Sequence, residues 1–124
     1  MPAKRVLSVG QCAADNWLIA RMIRKNFDAD LVPSATFTEA LGQLRQGQFD
    51  LVLINRVFDA DGASGLDLIK QIKADETFQD VPVMLVSNHA DPQREAASMG
   101  ALPGFGKGAL GQAQTIERLK RYLS

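Results

Sequence analysis

The sequence predicts an α/β protein in which a five-stranded parallel sheet lies between two layers of helices. Short apolar runs alternate along the chain with longer segments whose apolar residues recur at three- and four-residue steps. Strands that alternate with helices favour a parallel sheet covered on both faces, and right-handed crossovers then give a doubly wound three-layer sandwich. One run, residues 50–55, is apolar almost throughout, as expected for a central strand buried on both faces.

The first strand is predicted at Val6–Val9, followed by a loop that begins at Gly10. A helix is predicted from about Asp15, because its carboxylate is a suitable N-cap and an apolar stripe follows it. That stripe, which we expect to face the sheet, consists of Leu18, Ile19, Met22, Ile23 and Phe27.

The second strand is predicted at Leu31–Val32, where the adjacent Pro33 indicates an edge of the sheet because proline cannot donate a ladder hydrogen bond. Thr36 and Glu39 have the spacing of a capping box, which predicts the start of the second helix. Gly47 is expected to end that helix in a left-handed conformation.

The remaining units follow the same pattern. Ser64 is the expected cap of the third helix, and Asp91 with Pro92 is typical of an N-cap followed by a proline in the first turn of the fourth. The other predicted features are a third strand at 50–55, a fourth at Val83–Val86, a fifth at about Leu102–Phe105, a stop at Gly100 for the fourth helix, and a last helix that ends near Leu123.

Composition and charge indicate the class of protein. Residues 1–124 form one predicted domain, because no linker or repeat interrupts the pattern. Lys and Arg together number 14 and so do Asp and Glu, which gives no electrostatic argument for nucleic-acid binding. No apolar run approaches the roughly 20 residues that span a bilayer, and the single cysteine, Cys12, suits a reducing compartment. We therefore expect a cytoplasmic protein that contacts no membrane.

The chemistry is expected at one edge of the sheet. In an open parallel sheet, ligands bind just beyond the carboxyl ends of the strands. Gly10 and Gln11 follow the first strand, Asn55 ends the third, Ser87 ends the fourth and Lys107 follows the fifth.

Taken with the segments around them, these residues resemble the receiver domain of bacterial response regulators, and the resemblance covers nearly all of the chain. It implies a flavodoxin-like fold with the strand order 2-1-3-4-5. In that family an aspartate at the end of the third strand accepts a phosphoryl group, two acidic residues after the first strand hold Mg²⁺ with it, and a Ser or Thr and a Lys contact the phosphoryl oxygens. The matching segments are 6–9, 49–54, 65–69, 81–87, 100–101 and Lys107.

Position by position, this sequence retains only part of that set. Ser87 matches the hydroxyl position and Lys107 the lysine position, but Asn55 stands at the phosphoacceptor position and Gly10 and Gln11 at the acidic pair. Because Mg²⁺ prefers carboxylate oxygens, we expect no Mg²⁺, no other cofactor and no Asp phosphorylation. The resemblance thus predicts a pseudo-receiver that is not an enzyme, which acts by protein–protein interaction in a two-component or phosphorelay pathway.

Other departures from the family weaken the same chemistry. The aromatic switch position holds Gly104, the position after the lysine holds Gly108 in place of proline, and the loop after Asn55 is longer than usual. Asp59 and Asp61 lie in that loop, where turn formation is the plainer interpretation of both carboxylates.

Two alternatives stay open. Loss of the carboxylates leaves Arg56, Ser87 and Lys107 around a positively charged pocket, so an anion- or small-ligand-gated switch is one alternative. In the plainer interpretation Lys107 is solvated, or hydrogen-bonds Asn55 and a carbonyl group. The second alternative is a working phosphorelay receiver with an unorthodox acceptor.

The resemblance also implies a partner surface. In the family, the fourth helix, fifth strand and fifth helix meet a partner protein or a second copy, so a protein partner or a homodimer is expected at that face. Trp17 is expected to pack in the core or at the rim of the first helix, and the alternative is an exposed position near the pocket, where it could anchor a partner. The residues expected on the partner face are Gln93, Arg94, Gln112 and Arg118.

Overall fold

The computed structural model describes residues 3–124 and contains a five-stranded parallel sheet with the strand order 2-1-3-4-5, as predicted. Each strand is followed by a helix. The strands are β1 (Lys4–Val9), β2 (Ala29–Ser34), β3 (Leu51–Asn55), β4 (Val83–Val86) and β5 (Leu102–Phe105). The helices are α1 (Ala13–Asn26), α2 (Phe37–Gln46), α3 (Gly65–Ala74), α4 (Ala90–Ser98) and α5 (Ala113–Leu123), with a short 3₁₀ turn at Lys107–Ala109.

Two apolar cores, one on each face of the sheet, complete the three-layer sandwich. Helices α1 and α5 pack on one face, where Ile19 and Leu119 meet Leu53. Helices α2, α3 and α4 pack on the other, where Ala40 and Leu68 belong to the same core as Ile54. Alternate residues of one strand thus serve opposite cores, as the pleat of a strand requires.

Strand β3 is the centre of the sheet. It pairs with β1 on one side and β4 on the other, and its residues Leu51–Ile54 are fully buried. Only Asn55, at the carboxyl end, is partly exposed. The apolar run therefore positions a polar residue at the edge where loops from three strands meet.

Strand β2 is an edge strand, as Pro33 predicted, and it pairs with β1 alone in the described sheet. It is longer than predicted, running from Ala29 to Ser34. The prediction was too short because the polar residues Asp30 and Ser34 interrupt the apolar pattern, and edge strands tolerate such residues.

Two predicted helix starts were wrong, and so was the predicted conformation of Gly47, although Gly47 does end α2. Cys12, not Asp15, caps α1, and its sulfur accepts the Asp15 backbone N–H at 3.5 Å. Helix α4 begins at Ala90, so Pro92 is its third residue, which is tolerated because N–H groups of the first turn have no intrahelical partner. Gly47 ends α2 in an extended conformation with φ −152°, not a left-handed one.

The buried face of α1 is narrower than the apolar stripe in the sequence. Ile19, Ala20, Met22 and Ile23 are buried, whereas Leu18 is 45% exposed. The other predicted boundaries hold more closely: Gly100 follows α4 with φ +105°, and α5 ends at Leu123.

None of the helices in the described part of the chain combines the length and apolar composition that a bilayer-spanning segment requires.

Thr36 caps α2 as predicted, but Glu39 bonds the N–H of the residue before the cap and not that of Thr36, as a complete capping box requires. The Thr36 cap gives a test of local stability. The Thr36 hydroxyl accepts the Glu39 N–H at 3.2 Å, and the Glu39 carboxylate accepts the Ala35 N–H at 2.9 Å. Thr36→Ala should lower the free energy of unfolding by about 1 kcal/mol in urea titrations, because an N–H of the first turn loses its acceptor. The control Thr38→Ala, on the exposed face of the same helix, should change it by no more than about 0.5 kcal/mol. Equal losses in both variants would contradict the capping role.

Candidate functional site

A cavity of about 250 Å³ opens at the carboxyl edge of the sheet. The topology brings Asn55, Arg56, Ser87 and Lys107 together along its wall, with Asn88 and His89 from the loop that leads into α4. Gly10 and Gln11 lie after β1 at the same edge but do not line the cavity.

The Asn55 side chain is fixed by two backbone carbonyl groups. Its amide Nδ2 donates to the Gly10 oxygen at 3.0 Å and to the Val57 oxygen at 2.7 Å. Because both partners are hydrogen-bond acceptors, the side chain at position 55 must be a donor. An ionised aspartate could only accept, so its oxygens would face the two carbonyl oxygens without a hydrogen bond.

Gly10 is held against an aromatic ring that fills the space beside it. Its φ is +79°, and a Cβ atom built on it would overlap the Phe58 ring. Phe58 is 1% exposed and contacts Phe37, at a ring-centroid distance of 5.7 Å. A side chain at position 10 is therefore opposed by backbone strain and by steric overlap.

The loop after β3, which is longer than usual for the family, forms a small hairpin that places the Phe58 ring against Gly10. Val57 and Ser64 form an antiparallel bridge, and the Phe58 N–H donates to the Ala63 oxygen at 2.9 Å. The next residue, Asp59, donates its N–H to the Gly10 oxygen at 2.9 Å, so this oxygen accepts from both the loop and Asn55. The loop is thereby tied to the end of β1.

Gln11 is a buried amide. It is 6% exposed, and neither of its side-chain polar atoms has a hydrogen-bond partner within residues 3–124. Its backbone oxygen accepts the Asn16 side-chain amide at 3.4 Å, and the Asn16 side-chain oxygen accepts the Ser8 hydroxyl at 2.7 Å. Burial of this kind disfavours a charged residue at position 11.

Lys107 forms an ion pair with Asp15, the residue that had been expected to cap α1. Its Nζ lies 2.6 Å from the Asp15 carboxylate, and both side chains are about two-thirds or more buried. The hydrogen bond from Lys107 holds the pKa of the Asp15 carboxyl below its ordinary value, although partial burial acts in the opposite direction. The pair therefore stabilises the fold above the ordinary carboxyl range, and this contribution is lost as the pH falls through the lowered pKa.

Ser87 and Asn88 join the neighbouring loops. The Ser87 hydroxyl accepts the His89 N–H at 3.2 Å, and the Asn88 side-chain oxygen accepts the Gly108 N–H at 3.1 Å. The loop after β4 is thus tied to the 3₁₀ turn after β5.

Gly104, at the family's aromatic switch position, has no room for a side chain. A Cβ there would overlap the Leu85 carbonyl oxygen and approach the side-chain oxygen of Gln93. The Gln93 amide donates to the carbonyl oxygens of Leu85, at 2.9 Å, and Ser87, at 3.1 Å, and Arg118 donates to the Gly104 oxygen. These bonds hold α4 and α5 against the end of the sheet.

Three of the four residues predicted on the partner face are bonded within the chain. Gln93 and Arg118 contact the backbone, Arg94 pairs with Asp91, and Gln112 is the exposed N-cap residue of α5.

The sequence reasoning missed Phe58, the Asp15 ion pair and the role of Gln93. Phe58 had a signal, because it is the largest apolar residue in a loop otherwise rich in small and acidic ones. Asp15 and Gln93 had none. Asp15 pairs with Lys107, which is far away in the sequence, and Gln93 bonds backbone carbonyl groups, which no residue type marks in a sequence. Asp61 does form the expected turn, accepting the Ala63 N–H at 3.0 Å.

Within residues 3–124 there is no group of three or more His, Cys, Asp or Glu side chains able to hold a metal ion.

Comparisons with known proteins bear on the family and the fold of the chain. No protein-family model matches the chain. Chemotaxis protein CheY-3 of Vibrio cholerae is 33% identical over 93 residues, which cover 69% of this chain and 70% of that protein. Chemotaxis protein CheY of Pseudomonas aeruginosa is also 33% identical over 93 residues, covering 69% and 73%.

Solved structures show the same fold. The chemotaxis response regulator CheY4 of Vibrio cholerae has a TM-score of 0.75 at 16% identity, covering 98% of this chain and 99% of its own. A response regulator from Thermotoga maritima has a TM-score of 0.77 at 23% identity, covering 98% of both chains. The structures establish the fold, and the two curated relatives carry the family assignment: the chain belongs to the CheY-like receiver domains of two-component response regulators.

Proposed function

We propose that this receiver domain acts by docking on a partner protein without Asp phosphorylation. The observation that carries the proposal is the Asn55 amide, which donates to two backbone carbonyl groups in place of presenting a carboxylate. An amide is a far poorer nucleophile than a carboxylate toward a phosphoryl donor, and here its nitrogen is engaged on both sides. The domain would bind, not catalyse.

The residues present do not fit the Mg²⁺ ion that the family implies. A hard cation of this kind requires oxygen ligands in near-octahedral geometry, several of them carboxylates. Gly10 offers no side chain, Gln11 is a buried amide, and the space beside Gly10 holds the Phe58 ring. The carboxylate of Asp15, which could otherwise serve as a substitute metal ligand, is paired with Lys107. We therefore propose that the domain uses no metal and no other cofactor.

The partner face is proposed to be the one formed by α4, β5 and α5, where the family docks its partners or a second copy. Gln93 and Arg118 support a fixed form of this face, because their hydrogen bonds join both helices to the strand ends. A face of this kind would be available for docking at all times, and the partner's abundance would control the signal.

The anion-gated alternative is weakened by the ion pair. Lys107 lines the cavity together with Asn55, but its charge is balanced by Asp15 at 2.6 Å. Arg56 also lines the cavity and is exposed, so solvent screens its charge. For the remaining alternative, an unorthodox acceptor, Ser87 carries the one hydroxyl group among the described residues that line the cavity, and this hydroxyl accepts the His89 N–H.

Incubation with acetyl phosphate, or with beryllofluoride, and Mg²⁺ should give no mass gain and no change in the fluorescence of Trp17, because the carboxylate ligands are missing. Intact-mass spectrometry and fluorescence titration measure these outcomes. The double variant Gln11→Asp with Asn55→Asp should also fail to bind Mg²⁺, since Gly10 and Phe58 remain. A stable phosphoryl adduct on the unmodified protein would overturn the proposal.

Packing of Phe58 on Gly10 should appear as an energetic coupling between the two residues. Gly10→Ala should lower the free energy of unfolding by about 3 kcal/mol, from left-handed strain and overlap together. In a Phe58→Ala background the same change should cost only about 1–2 kcal/mol, because the overlap is gone. Urea titrations measure both.

Gly62 provides the control for that cycle. Its φ is +73°, but a Cβ there meets no atom within 4 Å. Gly62→Ala should therefore cost about 1–2 kcal/mol in either background, from strain alone. Equal costs for Gly10→Ala with and without Phe58 would refute the steric coupling.

Removing the carboxylate that balances Lys107 should create an anion site. In thermal-shift measurements with inorganic phosphate, Asp15→Asn should be stabilised, whereas the unmodified protein and the charge-matched control Asp59→Asn should respond little. Asp59 is exposed on the neighbouring loop, so its loss changes the net charge equally. A shift in the unmodified protein as large as in Asp15→Asn would favour the anion-gated switch instead.

A further inference from the structure

Strand β2 has one backbone edge without a strand partner in the described sheet, because it pairs with β1 alone. At the start of this pairing the Lys4 N–H donates to the Asp28 oxygen at 3.0 Å. At its end the Gly10 N–H donates to the Ser34 oxygen at 2.8 Å. Successive residues of a strand direct their backbone groups to opposite sides, so the even-numbered residues of 28–34 face β1.

The odd-numbered residues form the free side of β2, and the second half of this side offers no free donor. Ala29 and Leu31 present an N–H group there, whereas Pro33 has none and its ring occupies the place of the hydrogen. By the same alternation the next N–H on this side belongs to Ala35, and the Glu39 carboxylate accepts it at 2.9 Å. An incoming strand would therefore meet two donors at the start of β2 and none toward its end.

Other features that protect edge strands are weak at β2. Natural proteins make such strands short, irregular or charged. The opposite edge strand, β5, has only four residues and an irregular register, but β2 has six residues in continuous register with β1. The chain carries no net charge, so two copies do not repel one another as wholes. Protection of β2 therefore depends on its backbone donors.

We propose that Pro33 and Glu39 close the free edge of β2 against strand pairing with a second copy of this chain. Pro33 removes a donor and places an exposed ring at the edge, and Glu39 occupies the donor that follows. This edge is separate from the face formed by α4, β5 and α5, and the proposal stands whether or not Asn55 can be phosphorylated.

Antiparallel pairing of two β2 strands about Leu31 is the arrangement that this block prevents. In that register the Leu31 residues of the two copies would exchange two hydrogen bonds, and Ala29 of each copy would lie opposite Pro33 of the other. Each of these Ala29–Pro33 pairs would lack one bond, and the proline rings would project toward the opposing strand. Asp30 would lie opposite Val32 and not opposite another carboxylate, so charge does not forbid this register.

Restoring the donors should allow the domain to self-associate. Pro33→Thr restores one N–H with a polar side chain that favours strands, and a second substitution, Glu39→Ala, also frees the Ala35 N–H. Pro33→Thr should lower the dimer dissociation constant at least about tenfold relative to the unmodified protein, because each Ala29 pair regains a hydrogen bond. The double variant should associate more tightly still. Sedimentation equilibrium measures these constants.

Two further variants serve as controls. Asp30→Thr places the same side chain on an exposed position whose backbone groups face β1, and should leave the dissociation constant within about twofold. Pro33→Ala restores the same N–H without a branched side chain and should associate in the manner of Pro33→Thr. Circular dichroism verifies that each variant is folded.

Hydrogen exchange locates the contact. The Leu31 N–H faces the free edge, so in Pro33→Thr its protection should rise at least about tenfold as the protein is concentrated to about 1 mM. The large apolar side chains that are most exposed within residues 3–124 are Trp17, at 61%, and Leu18 and Val57, each at 45%. They lie on α1 and the loop after β3, so association through them would leave Leu31 unprotected.

The proposal is overturned if the folded Pro33 variants remain as monomeric as the unmodified protein, or if Asp30→Thr associates as tightly as they do. Association that leaves the exchange of the Leu31 N–H unchanged would also overturn it, because another surface would then form the dimer. Equal association of the single and double variants would overturn the part assigned to Glu39.

Discussion

The carbonyl oxygen of Gly10 is the group on which the carboxyl edge of this sheet depends. It accepts the Asn55 amide at 3.0 Å and the Asp59 N–H at 2.9 Å, so one oxygen joins the ends of β1 and β3 to the loop between β3 and α3. Both donors are neutral. A carboxylate in place of Asn55 would remove the donor and add a charge beside two carbonyl groups, and the loop would lose the bond at Val57 while keeping the one from Asp59. The amide is therefore part of the local architecture as well as a change in chemistry.

Around this group, each loop at the edge is tied to a neighbour by short polar contacts. Lys107 reaches Asp15 on α1, Asn88 reaches the 3₁₀ turn, and Gln93 reaches back to β4. In a receiver domain these are the loops that carry the chemistry, and here their polar side chains are used to hold one another. Such mutual bonding suits a domain that presents a constant surface to its partners.

The fold was predictable from the sequence because its determinants are local. The apolar run of β3, the edge position of Pro33 and the helix cap at Thr36 each depend on residues within a few positions of one another. The identity of the residues at the edge was also readable, since strand ends converge in any parallel sheet. The hydrogen-bond partners of these residues could not be predicted. Lys107 is expected from the sequence to be solvated or to bond Asn55, but it pairs with Asp15, because the angle of α1 decides that contact. Leu18 was assigned to the core for a related reason, since an apolar stripe does not reveal how wide the covered face is.

The contact between Phe58 and Gly10 also limits which single substitutions the domain can accept. With the ring in place, an acidic residue at position 10 meets both overlap and a left-handed backbone, so the order in which changes accumulate matters. An acidic residue at position 10 would first require the ring to move, and removal of the ring would open a void in the core beside Phe37. Either substitution made alone is therefore expected to lower the stability of the domain, so these two positions are constrained to change together.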